Sequence, residues 1–238
     1  MFIEKYYNET TNGKISFTRQ QASDFAKKVA DDFNPLHNID AKRFCVPGDL
    51  LFSIILAKSG LNKQMTFTFS GMVNENLLLA FPDEITDQGA VIDANNKEYL
   101  QINVSGEHSN NDVLIESLTR AYVEFSGHTF PHILVKLMAE NKVMINPARP
   151  MIMYQSMSID MYRFDLKPIK LRLAQTSLSI DGKRGDAWLE FDLLSGDEVI
   201  GHGKKHMLLS GLREYCQDTI DLVVEQYNQS KAAFSTAS

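Results

Sequence analysis

The sequence predicts an α+β fold made of two similar halves and closed by a C-terminal helix. Three observations predict it. A stretch at about 48 to 60 is apolar almost all round through Leu50, Leu51, Phe52, Ile54, Ile55 and Leu56, which marks a buried helix. From Met65 onward the hydrophobic period changes from the helical one to two, the period of strands. A second apolar stretch opens at Phe130-Pro131 as the first opens at Pro47-Gly48, and alternating runs follow it as well.

Taken in order, residues 1 to 15 read as a lead strand or arm around the polar turn Asn8 to Gly13. Thr18 and Gln21 form a capping box. Behind them Ala22, Phe25, Ala26, Val29, Ala30 and Phe33 recur at helical spacing, so an amphipathic helix is expected to run to about Phe33, where Pro35 stops it. Gly60 ends the buried helix. Strands are expected at Met65 to Phe69, Leu77 to Phe81, Ala90 to Ile92, Tyr99 to Val104 and Val113 to Phe125, with a turn over Ser105 to Asp112. In the second half a helix from Phe130 to about Lys142 precedes strands at about 153 to 164, 169 to 180, 186 to 194 and 198 to 209. The tail from about Leu212 to Ala233 carries apolar residues at helical spacing. These elements divide the chain into 1–127, 128–212 and a C-terminal helix with tail at 213–238.

Composition excludes several functions. At 238 residues, 44% hydrophobic and 23% charged, the chain has the balance of a globular protein with a sizeable core. A formal charge of −6 leaves no basic footprint for nucleic acid, and Lys42-Arg43 and Lys204-Lys205 read as solvated surface. The start has no signal-peptide pattern and no apolar run approaches the ~20 residues needed to span a bilayer, so a cytoplasmic protein is expected, with no membrane and no nucleic-acid partner. Cys45 and Cys216 lack metal or redox spacing. His202 and His206 lie four apart, but on a strand that spacing does not converge on one ion. No phosphate-cradling loop is present; neither a metal nor a cofactor is expected.

Chemistry is densest in Asp31-Asp32-Phe33-Asn34-Pro35-Leu36-His37. The proline forces a bend that brings a carboxylate and an imidazole five positions apart toward one volume, where one water could touch both. The helix dipole and Asp31 would both disfavour ionised Asp32, and an imidazole is the side chain whose ordinary range lies near neutrality, so a carboxylate and a histidine placed together suit acid–base work. The same residues also suit an ordinary helix ending, with Asn34 closing the turn.

The run Asp32-Phe33-Asn34-Pro35-Leu36-His37 resembles the Asp-x-Asn-Pro-x-His motif of the MaoC-like, (R)-specific enoyl-CoA hydratases. The resemblance covers about residues 14 to 60 and implies a hotdog fold, here a double hotdog of two antiparallel sheets each wrapping a central helix. It implies that Asp32 and His37 hold and activate a water, that Asn34 supports the turn, and that the Gly48 amide receives a thioester oxygen. A helix N-terminus is a sound place for an oxyanion. Pro47, Asp49 and Ser53 would line the substrate pocket, Ser53 at a position where the family often carries a serine. Asp49 also reads as a helix cap. The implied activity is addition or removal of water across a 2-enoyl thioester of coenzyme A or acyl-carrier protein, in a possible homodimer. Pro47 stands where the family has His, and the loop between His37 and Gly48 is shorter than in the family. These departures support an alternative, a non-catalytic module that binds acyl-CoA or an acyl-carrier protein. The second half lacks the motif, so one site per chain is expected.

Overall fold

The computed structural model describes residues 1–164 and 168–237. A hairpin of β1 (Asn8–Glu9) and β2 (Ile15–Ser16) leads into helix α1 (Arg19–Lys28). Helix α2 (Gly48–Ser59), strands β3 (Leu61–Phe69), β4 (Gln88–Ile92) and β5 (Glu98–Ser109), and helix α3 (Asp112–Gly127) follow. Next come α4 (Leu134–Glu140), β6 (Val143–Met144), β7 (Met151–Met161), β8 (Ile169–Asp181), β9 (Arg184–Ser195), β10 (Glu198–Ser210) and β11 (Arg213–Glu214). Helix α5 (Gln217–Ala237) ends the described chain; Ser238, the last residue of the expected tail, lies outside it.

The strands form one seven-stranded antiparallel sheet in the order β4-β5-β3-β7-β10-β9-β8. The expectation of two separate sheets is corrected. Strand β3 pairs with β7, from Gln64 opposite Asp160 to Thr68 opposite Ser156, so the strands of both halves share one hydrogen-bonded ladder. The α+β class and the C-terminal helix stand.

Helix α2 is buried along almost its whole length, as its composition requires. Phe52 packs edge-on against Phe67 of β3 at 5.1 Å between ring centroids, and against Tyr122 of α3 at 4.9 Å. Gly60 closes the helix at φ 78°, a left-handed conformation that glycine adopts without strain.

Five expectations fail locally. Val113 to Phe125, read as a strand, is α3: Asn111 Oδ1 accepts the Leu114 amide at 3.1 Å, and Leu114, Ile115, Leu118, Tyr122 and Val123 bury one helical face. Ser105 to Asp112 is not a turn, because β5 continues to Ser109 opposite Leu61. Leu77 to Phe81 makes only isolated bridges, Leu79 to Ile15 and Ala80 to Ile92. The second apolar helix is kinked at Phe130 and regular only over α4, and the tail helix begins at Gln217 because Leu212 is buried and Arg213–Glu214 pairs with β6.

The end of α3 lies hard against the end of α1. A Cβ on Gly127 would stand 1.6 Å from the carbonyl oxygen of Ala30, a backbone atom that cannot step aside. Gly127→Ala is therefore expected to destabilise the fold by about 3 kcal/mol, read as a lowered urea midpoint. That contact places Ser126 beside the motif.

Candidate active site

Helix α1 starts as expected: Thr18 Oγ1 accepts the Gln21 amide at 3.1 Å and Gln21 Oε1 accepts the Thr18 amide at 3.0 Å. It ends earlier than expected, at Lys28, so Asp32 lies beyond the last turn rather than in it. The Ala30 amide returns to the Phe25 carbonyl at 3.2 Å and the Asp32 amide to that of Ala26 at 2.9 Å, while Asp31 sits at φ 54°. The helix is therefore closed by a left-handed residue before Pro35 is reached. The Asp31 carboxylate is held by Lys231 and, at 3.1 Å, by His128 Nε2, which compensates its charge away from the site.

Asp32 Oδ1 accepts the Asn34 amide at 2.8 Å, and Asn34 Oδ1 accepts the Leu36 amide at 3.1 Å. Asn34 thus supports the turn. His37 Nδ1 donates to the Cys45 carbonyl at 2.7 Å, which fixes the tautomer and leaves Nε2 with its lone pair free, 3.7 Å from Asp32 Oδ2. Too long for a direct bond, that gap suits one shared water.

Gly48 is the first residue of α2, and the amides of a first helical turn have no acceptor within the helix. A Cβ there would meet Phe69 Cε1 at 2.9 Å and Tyr154 Cδ1 at 3.1 Å, so only glycine lets these rings close on the helix start. Asp49 does not cap the helix. It is 8% exposed and its Oδ2 accepts from Ser126 Oγ at 2.6 Å, while Oδ1 has no partner among the described residues. Ser53 is buried within α2, its hydroxyl donating to the Asp49 carbonyl at 2.6 Å, and it is not among the cleft-lining residues.

Lys205 corrects the reading of Lys204-Lys205 as surface. Strand β10 alternates: Lys204 faces solvent and pairs with Glu190 at 2.9 Å, whereas Lys205 points inward with Gly203 and Met207 and is 5% exposed. Its Nζ donates to Ser126 Oγ at 2.5 Å and lies 4.6 Å from the Tyr154 ring centroid. Burial lowers the Lys205 pKa and raises that of Asp49; each charge opposes the shift of the other. Tyr122 and Tyr154 meet through their hydroxyls beside this cluster. The period-two pattern of β10 held the signal for an inward lysine; Ser126 had none, because α3 was read as a strand.

These groups line one cleft of about 1440 Å³. Asp32, Asn34, His37, Pro47, Gly48 and Asp49 line it from the motif and the start of α2, Ser126, Tyr154 and Lys205 from α3, β7 and β10, and Val223, Gln226, Tyr227 and Ser230 from α5. The hydroxyl of Tyr227 accepts the Phe33 amide at 3.2 Å and donates to the Asp31 carbonyl at 3.3 Å, so α5 braces the motif. Tyr227→Phe is expected to cost about 1 kcal/mol in urea unfolding. Cys45 also lines the cleft, with burial pushing its thiol up to about 11, while Cys216 is exposed. Iodoacetamide near neutral pH should therefore label Cys216 well before Cys45, as peptide mapping would read.

His202 and His206 bond separate carboxylates, Asp192 and Asp186, each at 2.8 Å. Among the described residues no three His, Cys, Asp or Glu side chains are grouped to hold a metal, and no helix is long and apolar enough to cross a membrane.

A family model described as "Protein of unknown function (DUF3581)" matches residues 1–218. The chain belongs to the DUF3581 family. No curated protein matches it. Among solved structures, this DUF3581 chain is similar to acyl-CoA thioesterase II TesB2 from Mycobacterium marinum, at 6% identity and a TM-score of 0.45, covering 91% of this chain and 99% of that one. A protein titled a thioesterase II from Thermobifida fusca is similar at 7% identity and a TM-score of 0.42, over 86% and 95% of the two chains. An oleoyl thioesterase from Lactobacillus plantarum follows at 9% identity and 0.37, over 82% and 90%. These findings correct the hydratase expectation drawn from the motif: the similar structures carry thioesterase titles.

Proposed function

We propose that the cleft binds an acyl thioester and hydrolyses it. The observation that carries this reading is the free His37 Nε2 held 3.7 Å from the Asp32 carboxylate, on the wall of a cleft that also contains the start of α2. A water between Asp32 and His37 attacks the thioester carbonyl and gives its proton to that pair. The Gly48 amide receives the carbonyl oxygen as it becomes an oxyanion. The thiol then leaves readily, since a thiolate is a far weaker base than an alkoxide. Phe69, Phe130, Leu134, Ile145 and Met207 give the acyl chain an apolar lining.

On this reading the chain is a pair of hotdog halves meeting near residue 127, with β3 and β7 as the seam. Only the first half supplies the motif, and the second contributes Tyr154 and Lys205 to the cleft.

The test is release of free thiol from butanoyl-, decanoyl- and hexadecanoyl-CoA, followed with a chromogenic disulfide. Release that stops in His37→Ala supports the reading. No release from any chain length by folded protein would overturn it.

A further inference from the structure

The Lys205–Ser126–Asp49 cluster is not used by the hydrolysis described above, and it is costly to maintain. All three side chains are buried, at 5%, 5% and 8% exposure. Moving a lysine and an aspartate out of water costs several kcal/mol per ion, and a structural pair repays that only when every polar atom is satisfied. Here Asp49 Oδ1 has no partner among the described residues. Beyond its bond to Ser126 Oγ and its place over the Tyr154 ring, the hydrogen bonds of Lys205 Nζ among the described residues are long, to the Ser126 carbonyl and Thr129 Oγ1, each at 3.4 Å. Ser126 Oγ is the joint: it donates to Asp49 Oδ2 at 2.6 Å and accepts from Lys205 Nζ at 2.5 Å.

That arrangement has the parts of an activated hydroxyl. A carboxylate holds the hydroxyl proton, an ammonium stands where negative charge on the oxygen would develop, and the three residues line the same cleft as Asp32 and His37. Asp49 follows Gly48 directly, so the base stands next to the amide proposed to receive the carbonyl oxygen.

We propose that Ser126 is a nucleophile that accepts the acyl group, making the hydrolysis a two-step reaction through an acyl-serine ester. This rests on the acyl-thioester reading of the cleft. In the first step Oγ bonds to the carbonyl carbon, its proton passes to Asp49, the carbon–sulfur bond breaks, and Asp49 returns the proton to the departing thiolate. In the second, the water between Asp32 and His37 attacks the ester and gives its proton to His37 Nε2. The carbon–Oγ bond breaks, Oγ takes a proton from Lys205, and exchange of one proton with solvent restores Lys205 and His37.

The experiment is to mix the Asp32→Asn chain, in which the second step is slowed, with butanoyl-CoA and decanoyl-CoA, quench in acid, and measure intact mass and peptide masses. The expected result is a mass gain equal to the acyl group on the peptide holding Ser126. Ser126→Ala should abolish the adduct and lower thiol release on the order of 10³-fold or more. Ser126→Cys keeps a nucleophile, and should still trap the acyl group as a thioester even if Ser126→Ala unfolds. Thiol release by the wild type with no adduct on Ser126 would overturn the proposal and leave hydrolysis by direct water attack. An adduct on Ser126 without turnover in the wild type would uphold the nucleophile and sink the hydrolase reading. Neither adduct nor release would overturn both.

Discussion

Asp32→Asn should lower kcat for thioester hydrolysis by on the order of 10²–10⁴-fold, with the melting temperature near that of the unsubstituted chain. The substitution is nearly isosteric. The bond that positions the side chain, from the Asn34 amide to Oδ1, can be kept by the amide oxygen, so the turn that carries His37 is retained. What is lost is the carboxylate facing His37 Nε2 across the gap that holds water. Loss of kcat with an unchanged melting temperature means that the group acts on the chemistry rather than on the fold. A parallel fall in melting temperature would instead mean that Asp32 is a structural part of the turn.

Lys205→Met should be the most destabilising of the side-chain replacements, by about 3–5 kcal/mol, because it leaves the Asp49 carboxylate buried beside Ser126 with no compensating cation. In a chain of this size that corresponds to a fall in Tm of roughly 10 °C. Adding Asp49→Leu to Lys205→Met should recover most of the loss, since replacing both members of a buried pair by apolar groups is close to neutral. The recovery is the informative half. It separates an unpaired buried charge from a simple packing defect, which a second substitution would worsen. Equal stability of Lys205→Met and the parent chain would contradict the burial of a charged lysine in this cluster.

Much of the fold could be read from local pattern. Helix α2 announced itself because no face of it is polar, and β8, β9 and β10 because each alternates for a dozen residues between turns at Gly182 and Gly196. Helix α3 was misread for a physical reason. Val113, Ile115, Thr119, Tyr122, Val123 and Phe125 are residue types that favour strands, and tertiary burial of one face overrode that preference. The site divided along the same line. The Asp32 to His37 turn was legible because its groups are neighbours in sequence and Pro35 opens the short turn that carries His37, although it is Asp31 that closes the helix. The Asp49–Ser126–Lys205 cluster was not, because it depends on which helix end meets which strand face across both halves.

The most direct measurement of the central claim is a crystal structure with an acyl-CoA analogue in which a methylene replaces the thioester sulfur, so that the carbonyl remains but cannot be cleaved. The account predicts the ketone oxygen about 3 Å from the Gly48 amide nitrogen, the carbonyl carbon facing a water between Asp32 and His37, and the acyl chain beside Phe69 and Tyr154. An analogue bound outside the cleft, or within it with the carbonyl turned away from Gly48 and His37, would contradict it.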